Sequence, residues 1–414
     1  MQKTGKNPDS AVWYVNSLQL KIVVGVEQDP FVFTIFLIFT GAAVMATLAL
    51  YARQSLLVAY VVLGILLGPS VLGWVGHAGL VEDISHIGII FLLFLLGLNL
   101  NPAELLHMMR KTSWITLVSS LLFGLGGMLV ALVFSFGFEE ALLIGAVMTF
   151  SSTIIGLKLL PTSVLHHQRT GEFIISILLL QDLLAIGLLI YIQGRGSGIE
   201  SVWTPLLLIL KLPLLGLIAW LITRYLLIRL IRRFDKIQEY IFLTAIGWCL
   251  GLAELALAMG LSAEIGAFIA GVALASSPIA LFVSESLKPL RDFFLVLFFF
   301  ALGAKMDLSV AMPVLLPALI LAALSLSLKP PVFRWLIERL GESKKRASEI
   351  GIRLGQLSEF SLLVSVVALE ASVIGHKAAY LIQFATLFSF IGSSYWIVQK
   401  LPTPIALKDE LRLD

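Results

Sequence analysis

Charge is the first thing this sequence lacks. Of 414 residues only 13% are Asp, Glu, Lys or Arg, 59% are hydrophobic, and the mean hydropathy is +0.99. That balance excludes a soluble domain of this length and defines a polytopic membrane protein. A single cysteine, Cys249, sits inside an apolar run, so an intramolecular disulfide and a thiolate metal cluster are both excluded. The pair His166–His167 has no Cys or carboxylate at metal-ligand spacing, and no histidine lies at membrane depth beside Ser152 or Asp182. An intramembrane enzyme and a resident metal are therefore not expected. No glycine-rich loop follows a strand to cradle a phosphate, so ATP is not implied and no cofactor is expected; an ion gradient must drive any work. Residues 1–30 carry Lys3, Lys6 and Lys21 but no compact apolar core before a small-residue cleavage site, which predicts a retained tail rather than a removable leader. With a net charge of only +3, nothing points to nucleic acid.

What the chain has in abundance is long apolar runs, each of about 17–25 residues and long enough to cross a bilayer as a helix. Thirteen are marked off by charges and Gly/Pro turns, at about 31–51, 55–74, 86–101, 113–135, 139–160, 170–193, 203–223, 238–258, 261–280, 293–309, 311–333, 349–371 and 375–399. Alternate loops differ in charge. One set holds Arg53, Arg110, Lys111, Lys158, Arg169, Arg224, Arg229, Arg232, Arg233, Lys236, Lys288, Arg291, Arg334, Arg339, Lys344, Lys345, Arg346, Lys400, Lys408 and Arg412. The other, outside the N-terminal tail, holds only Arg195, Lys305 and Lys377. Lys and Arg mark cytoplasmic loops, so the N-terminus is expected outside and the C-terminus inside, in the plasma (inner) membrane.

The chain also repeats itself. FLLFLLGLNLN at 91–101 matches LFFFALGAKMD at 297–307, a displacement of 206 residues (303 minus 97 for the shared glycine). The same displacement sets IGAVMTFSST at 144–153 on IGIRLGQLSE at 350–359, aligning Ser152 with Ser358 and Thr153 with Glu359. AYVVLGILLG at 59–68 resembles IGAFIAGVAL at 265–274 with a one-residue shift. The displacement covers seven spans, an odd number, so the second copy must cross the membrane in the opposite sense. The expected organisation is an all-α protein: a tail (1–30), a first six-helix repeat (31–193), a linker helix and basic loop (194–237), an inverted six-helix repeat (238–400) and a cytoplasmic tail (401–414). In such folds the substrate site lies near the midplane, where the repeats meet.

Asp182, in LLLQDLLAIG at 178–187, falls near the middle of its span, and an ionisable group at that depth is a candidate ion or proton carrier. The fifth span of each repeat is interrupted by a polar cluster, FSSTIIG at 150–156 with Ser151, Ser152 and Thr153, and LGQLSEFS at 354–361 with Ser358 and Glu359. Such clusters mark unwound, crossed helices whose carbonyls bind a cation, or else interhelical hydrogen bonding by small residues; their equivalent placement favours the first. Glu359 is then part of the ion path or a countercharge to the half-helix dipoles. Lys329 reads as the counter-charge of Asp182 or as a lysine snorkelling to the interface. Arg353 reads as an entrance-lining or snorkelling charge, and Glu254 and Glu264 as solvated or gate-lining. Gln181 is neutral, which leaves one titrating carboxylate in its pair and favours electroneutral one-for-one exchange.

With these residues in view, the chain resembles the monovalent cation:proton antiporters of the second large family, above all its potassium-efflux branch. The resemblance runs from about residue 34 to 398 through LLGPSVLGWV (66–75), IGIIFLLFLLGLNLNP (87–102), SSTIIGL (151–157), LLLQDLLAI (178–186), LSAEIGAFIAGVALA (261–275), LFFFALGAKMDL (297–308) and GQLSEFSLLV (355–364). It implies a sodium–proton antiporter-like fold with crossed broken helices and alternating-access exchange of K+, in preference to Na+, for H+. Asp182 would be the carrier of cation and proton, and Lys329, thirty residues before Glu359, its partner. The family pattern Gly-Leu-Glu-Leu-Asp-Pro is here Gly97-Leu98-Asn99-Leu100-Asn101-Pro102, with amides at both acidic positions. A homodimer is a further implication. Potassium-efflux members carry a nucleotide-binding Rossmann domain after the membrane part, and this chain, ending at Asp414, is expected to be a free-standing transporter, one served by a separate nucleotide-binding regulatory subunit, or a truncated one. The other readings of the residues are a gated cation channel or a non-transporting membrane sensor on the same scaffold.

Overall fold

The computed structural model describes residues 30–75, 78–99, 102–153, 155, 169–196, 203–234, 236–275, 277 and 279–403. Residues 1–29 of the expected tail, Asn101, the 161–168 loop with its two histidines, and residues 404–414 lie outside them. The elements are helices throughout: α1 (Pro30–Tyr51), α2 (Leu56–Leu67), α3 (Ala78–Asn99), α4 (Pro102–Val133), α5 (Phe138–Met148), α6 (Arg169–Gly196) and α7 (Trp203–Ile222). A π turn, Thr223–Leu227, carries α7 on into Ile228–Arg233. Then follow α8 (Gln238–Ala258), α9 (Ala263–Ala275), α10 (Ala280–Ala304), α11 (Leu315–Glu338), α12 (Lys344–Arg353), α13 (Glu359–Glu370) and α14 (His376–Lys400). Among the described residues seven helices are long and apolar enough to cross a membrane, and three apolar ones are shorter, so the protein is multi-pass.

Several helix ends differ from those expected. α2 stops at Leu67, before Gly68 and Pro69, rather than running to 74. α3 begins at Ala78 rather than 86, and α10 at Ala280 rather than 293. Hydropathy finds the apolar stretch of a helix but not a polar turn added to its end, and Glu285, Arg291 and Asp292 make the start of α10 read as a loop. The fifth and twelfth spans are each divided. α5 ends at Met148, helical residues resume at Thr153, and Leu354–Ser358 separate α12 from α13.

The helices sort into two packed bodies, and each draws on both halves of the chain. One core joins residues of α1–α3 and α7–α10, among them Ile38, Leu63, Phe94, Leu215, Ala245, Ala270 and Phe300. The other joins α4–α6 with α11–α14 through Ala131, Ile144, Ala185, Leu321, Leu363 and Phe390, and continues into Val61, Leu93 and Phe299 of α2, α3 and α10, where the two bodies meet. In the first body, α2 crosses α10 where Gly64 faces Gly303, and α9 crosses α3 where Gly271 faces Gly97. At these crossings a Cβ would overlap backbone of the facing helix, so the close approach requires glycine.

Candidate functional site

The second body holds two helix breaks against each other. Four helix ends meet there: the C-terminal ends of α5 and α12, which present carbonyls, and the N-terminal ends of the segment from Thr153 and of α13, which present N–H groups. The breaks are joined directly, since Ser151 Oγ donates to Leu354 O at 2.9 Å and Gln356 Nε2 lies 3.4 Å from Ser152 O. Thr153 Oγ1 donates to Glu359 Oε1, a bond between positions 206 apart. Ser152 Oγ accepts from Ile155 N at 3.1 Å, and Ser358 Oγ accepts from Phe360 N at 3.1 Å, so the aligned serines cap aligned helix starts. Glu359 opens α13, where a carboxylate complements the positive end of the helix dipole.

Lys329 serves the carbonyl ends. It is fully buried on α11, and its Nζ donates to Phe150 O at 2.6 Å and Gln356 O at 3.0 Å, with Ser151 Oγ at 3.4 Å. The ring of Phe123 from α4 lies 5.5 Å from the ammonium. One turn earlier, Ser325 Oγ donates to Gly355 O at 2.8 Å. The expected direct pairing of Lys329 with Asp182 is not found: no ion pair joins them among the described residues. The donors of Lys329 are taken by backbone carbonyls of both breaks, which a buried ammonium needs as much as a carboxylate. Its burial also rules out snorkelling.

Asp182 and Gln181 lie on α6, 3% and 0% exposed. Gln181 Oε1 accepts from Ser151 N at 2.9 Å, which ties α6 to the first break, and its Nε2 is buried with no hydrogen-bond partner among the described residues. Asp182 makes no hydrogen bond or ion pair among the described residues, and it interacts electrostatically with Glu359. The cluster therefore contains a buried carboxylate with open lone pairs, carbonyls and hydroxyls of two unwound segments, and one cation already committed to backbone.

Two other expectations change. Arg353 neither snorkels nor lines an entrance. It is fully buried, pairs with Glu349 at 3.0 Å and donates from Nη2 to Pro402 O at 2.7 Å. Glu264 is buried rather than solvated, whereas Glu254 is exposed as expected. Asn99 ends α3. Sequence reasoning did not single out Gln356, Ser325 or Ser393. Gln356 is the hub of the second break: it is fully buried, Ser393 Oγ donates to its Oε1 at 2.9 Å, and its Nε2 donates to Arg353 O at 2.9 Å. Two signals pointed there. A glutamine at membrane depth is as costly as the serines beside it, and Ser325 stands four residues before Lys329 on one helix face.

A buried carboxylate beside two interrupted helices inside a multi-pass membrane protein is the arrangement of an ion-handling transporter rather than an enzyme. Residues 32–400 match the family described as "Sodium/hydrogen exchanger, transmembrane", and the chain belongs to that family of transporters. It is 28% identical over 362 residues to "K(+) efflux antiporter 6" of Arabidopsis thaliana, covering 82% of this chain and 58% of that protein. To "Putative K(+) efflux antiporter KefB" of Alkalimonas amylolytica it is 31% identical over 352 residues, covering 82% and 52%. The chain thus spans little more than half the length of these relatives. The fold is that of the sodium proton antiporter MjNhaP1 from Methanocaldococcus jannaschii, with a TM-score of 0.66 at 17% identity over 89% of this chain and 95% of that one.

Proposed function

We propose that this protein exchanges a monovalent cation, K+ in preference to Na+, for protons by alternating access, with cation and proton competing for Asp182. The observation that carries the reading is the environment of Asp182: a carboxylate 3% exposed at membrane depth, with no hydrogen bond or ion pair among the described residues, beside breaks that present carbonyls and hydroxyls. A carboxylate in that setting needs either a proton or a cation. Oxygen ligands suit an alkali cation, and a single carboxylate in the Gln181–Asp182 pair carries one charge in each direction, which makes exchange one-for-one and electroneutral. Lys329 acts by holding the carbonyl ends of both breaks together. Glu359, Thr153, Ser152 and Ser358 fix the opposite ends, and Ser151 and Gln181 link the breaks to α6. The names of the relatives favour potassium. The 206-residue pairing across the breaks and the matched glycine crossings support two inverted repeats. The plasma membrane, an outside N-terminus, a homodimer and a separate nucleotide-binding regulatory subunit complete the proposal.

The test is a proteoliposome loaded with a pH-sensitive dye, to which K+ or Na+ is added against a preformed proton gradient. Wild-type protein should dissipate the gradient, with a lower half-saturating concentration for K+. Asp182→Asn should abolish the response, and an Asp182→Asn protein that exchanges at the wild-type rate would end this reading.

A further inference from the structure

The mechanism makes no use of the basic end of α7, where Arg224, Arg229, Arg232 and Arg233 fall within ten consecutive positions of a helix that reaches membrane-spanning length. Four arginines elsewhere find carboxylates, whereas Arg339 lies over the ring of Trp335, 4.8 Å from its centre. Arg291 bonds Asp292, Arg334 bonds Glu338, Arg346 bonds Glu342 and Arg353 bonds Glu349. The four arginines of α7 are all exposed, and none has a carboxylate partner among the described residues.

Their arrangement depends on the π turn. Along a regular α-helix, residues five apart point about 140° away from each other, so Arg224 and Arg229 would face different ways. Here Ile228 N–H bonds Thr223 O, a five-residue turn, which brings residues five apart close to one line. Arg233 then follows Arg229 by four residues on the same face. The result is a ladder, Arg224–Arg229–Arg233, with about 5–6 Å between successive positions. The first two rungs are held by rings: Arg224 lies 5.1 Å from the ring centre of Trp220, and Arg229 lies 5.9 Å from that of Tyr225. Each guanidinium is thus folded back along the helix toward the apolar span, the depth at which Trp and Tyr meet lipid headgroups. Like charges at this spacing repel, and a wide turn that aligns them on one face is unfavourable unless an anion lies along it.

We infer that this ladder is a binding site for the phosphate headgroup of an anionic phospholipid. The spacing of the rungs suits successive phosphate groups, a guanidinium can hold two oxygens of each, and the apolar face below the rungs (Leu217 and Leu221, both exposed) accepts the acyl chains.

The experiment measures thermal stabilisation of the full chain in mild detergent as phosphatidylglycerol is added, with phosphatidylcholine and inorganic phosphate as separate arms. Wild-type protein should be stabilised by phosphatidylglycerol alone. The triple variant Arg224→Gln/Arg229→Gln/Arg233→Gln should need a concentration higher by about tenfold or more, since each arginine near a membrane surface contributes about fivefold. Arg334→Gln, which removes a guanidinium already paired with Glu338, should respond as wild type. Deleting Leu226 turns the wide turn into a regular one without changing charge, and should weaken the response nearly as much as the triple variant. Equal stabilisation by inorganic phosphate or phosphatidylcholine would overturn the lipid assignment. A triple variant that responds like wild type would overturn the site, and a deletion variant that does so would overturn the ladder.

Discussion

The two bodies of this molecule solve opposite packing problems. In the body of α1–α3 and α7–α10 helices touch through glycine, as at Gly64–Gly303 and Gly271–Gly97, around a core of Leu, Phe and Ala. In the body of α4–α6 and α11–α14, Lys329, Arg353, Gln181, Gln356 and Asp182 are buried together, and helices give up regular hydrogen bonding where they cross. Backbone contact through glycine recurs in the second body, where Gly145 faces Gly124 and Gly351 faces Pro330, so it is the buried polar groups that set the two apart. The second is held by polar bonds that can be exchanged for others, which is what a site that takes up and releases ions requires. The difference teaches that the buried polar groups are gathered into one body, although each body is assembled from both halves of the sequence.

Substitution at the glycine crossings tests the first body and should have the largest effect. Gly271→Ala puts a methyl group into Phe94 O and should destabilise by about 3 kcal/mol or more, seen as loss of monodisperse protein in detergent. Gly216→Ala on α7, where a Cβ meets nothing, should leave stability unchanged or raise it by about 0.5–1 kcal/mol. Next comes Lys329→Met, which orphans the carbonyls of Phe150 and Gln356. A loss of about 2–4 kcal/mol in thermal stability is expected, together with impaired exchange. Melting like wild type would show that the crossing does not depend on its cation. Ser325→Ala removes one bond, to Gly355 O, and should cost about 1 kcal/mol with exchange retained.

The smallest effect lies outside the span. Bonds from Ser309 N and Oγ to Asp307 hold its carboxyl below the usual carboxylate range. Its contribution is therefore full above the ordinary carboxylate value and fades as pH falls through the lowered one. Asp307→Ala should lower the melting temperature slightly at neutral pH, and the difference from wild type should vanish in acid.

Much of this was legible in the sequence because the bilayer makes polarity at depth conspicuous. The apolar runs, the break at Ser151–Thr153, the break around Ser358 and the isolated Asp182 all stand out against leucine. What was not legible depends on directions in space. The spacing of Lys329 from Glu359 locates a cation near the crossing but cannot say whether its donors meet Asp182 or the carbonyls of Phe150 and Gln356. The 206-residue displacement aligned Thr153 with Glu359 without revealing that the two side chains bond each other. The polar start of α10 escaped for the opposite reason, since charges at a helix end resemble a loop.

The central claim is that cation and proton compete for one carboxylate, Asp182. It is tested most directly by the half-saturating K+ concentration for exchange in proteoliposomes, measured over a range of pH. On this account that concentration rises about tenfold for each unit the pH is lowered through the acidic limb, while the maximal rate stays nearly constant. A half-saturating concentration that does not change with pH would contradict it.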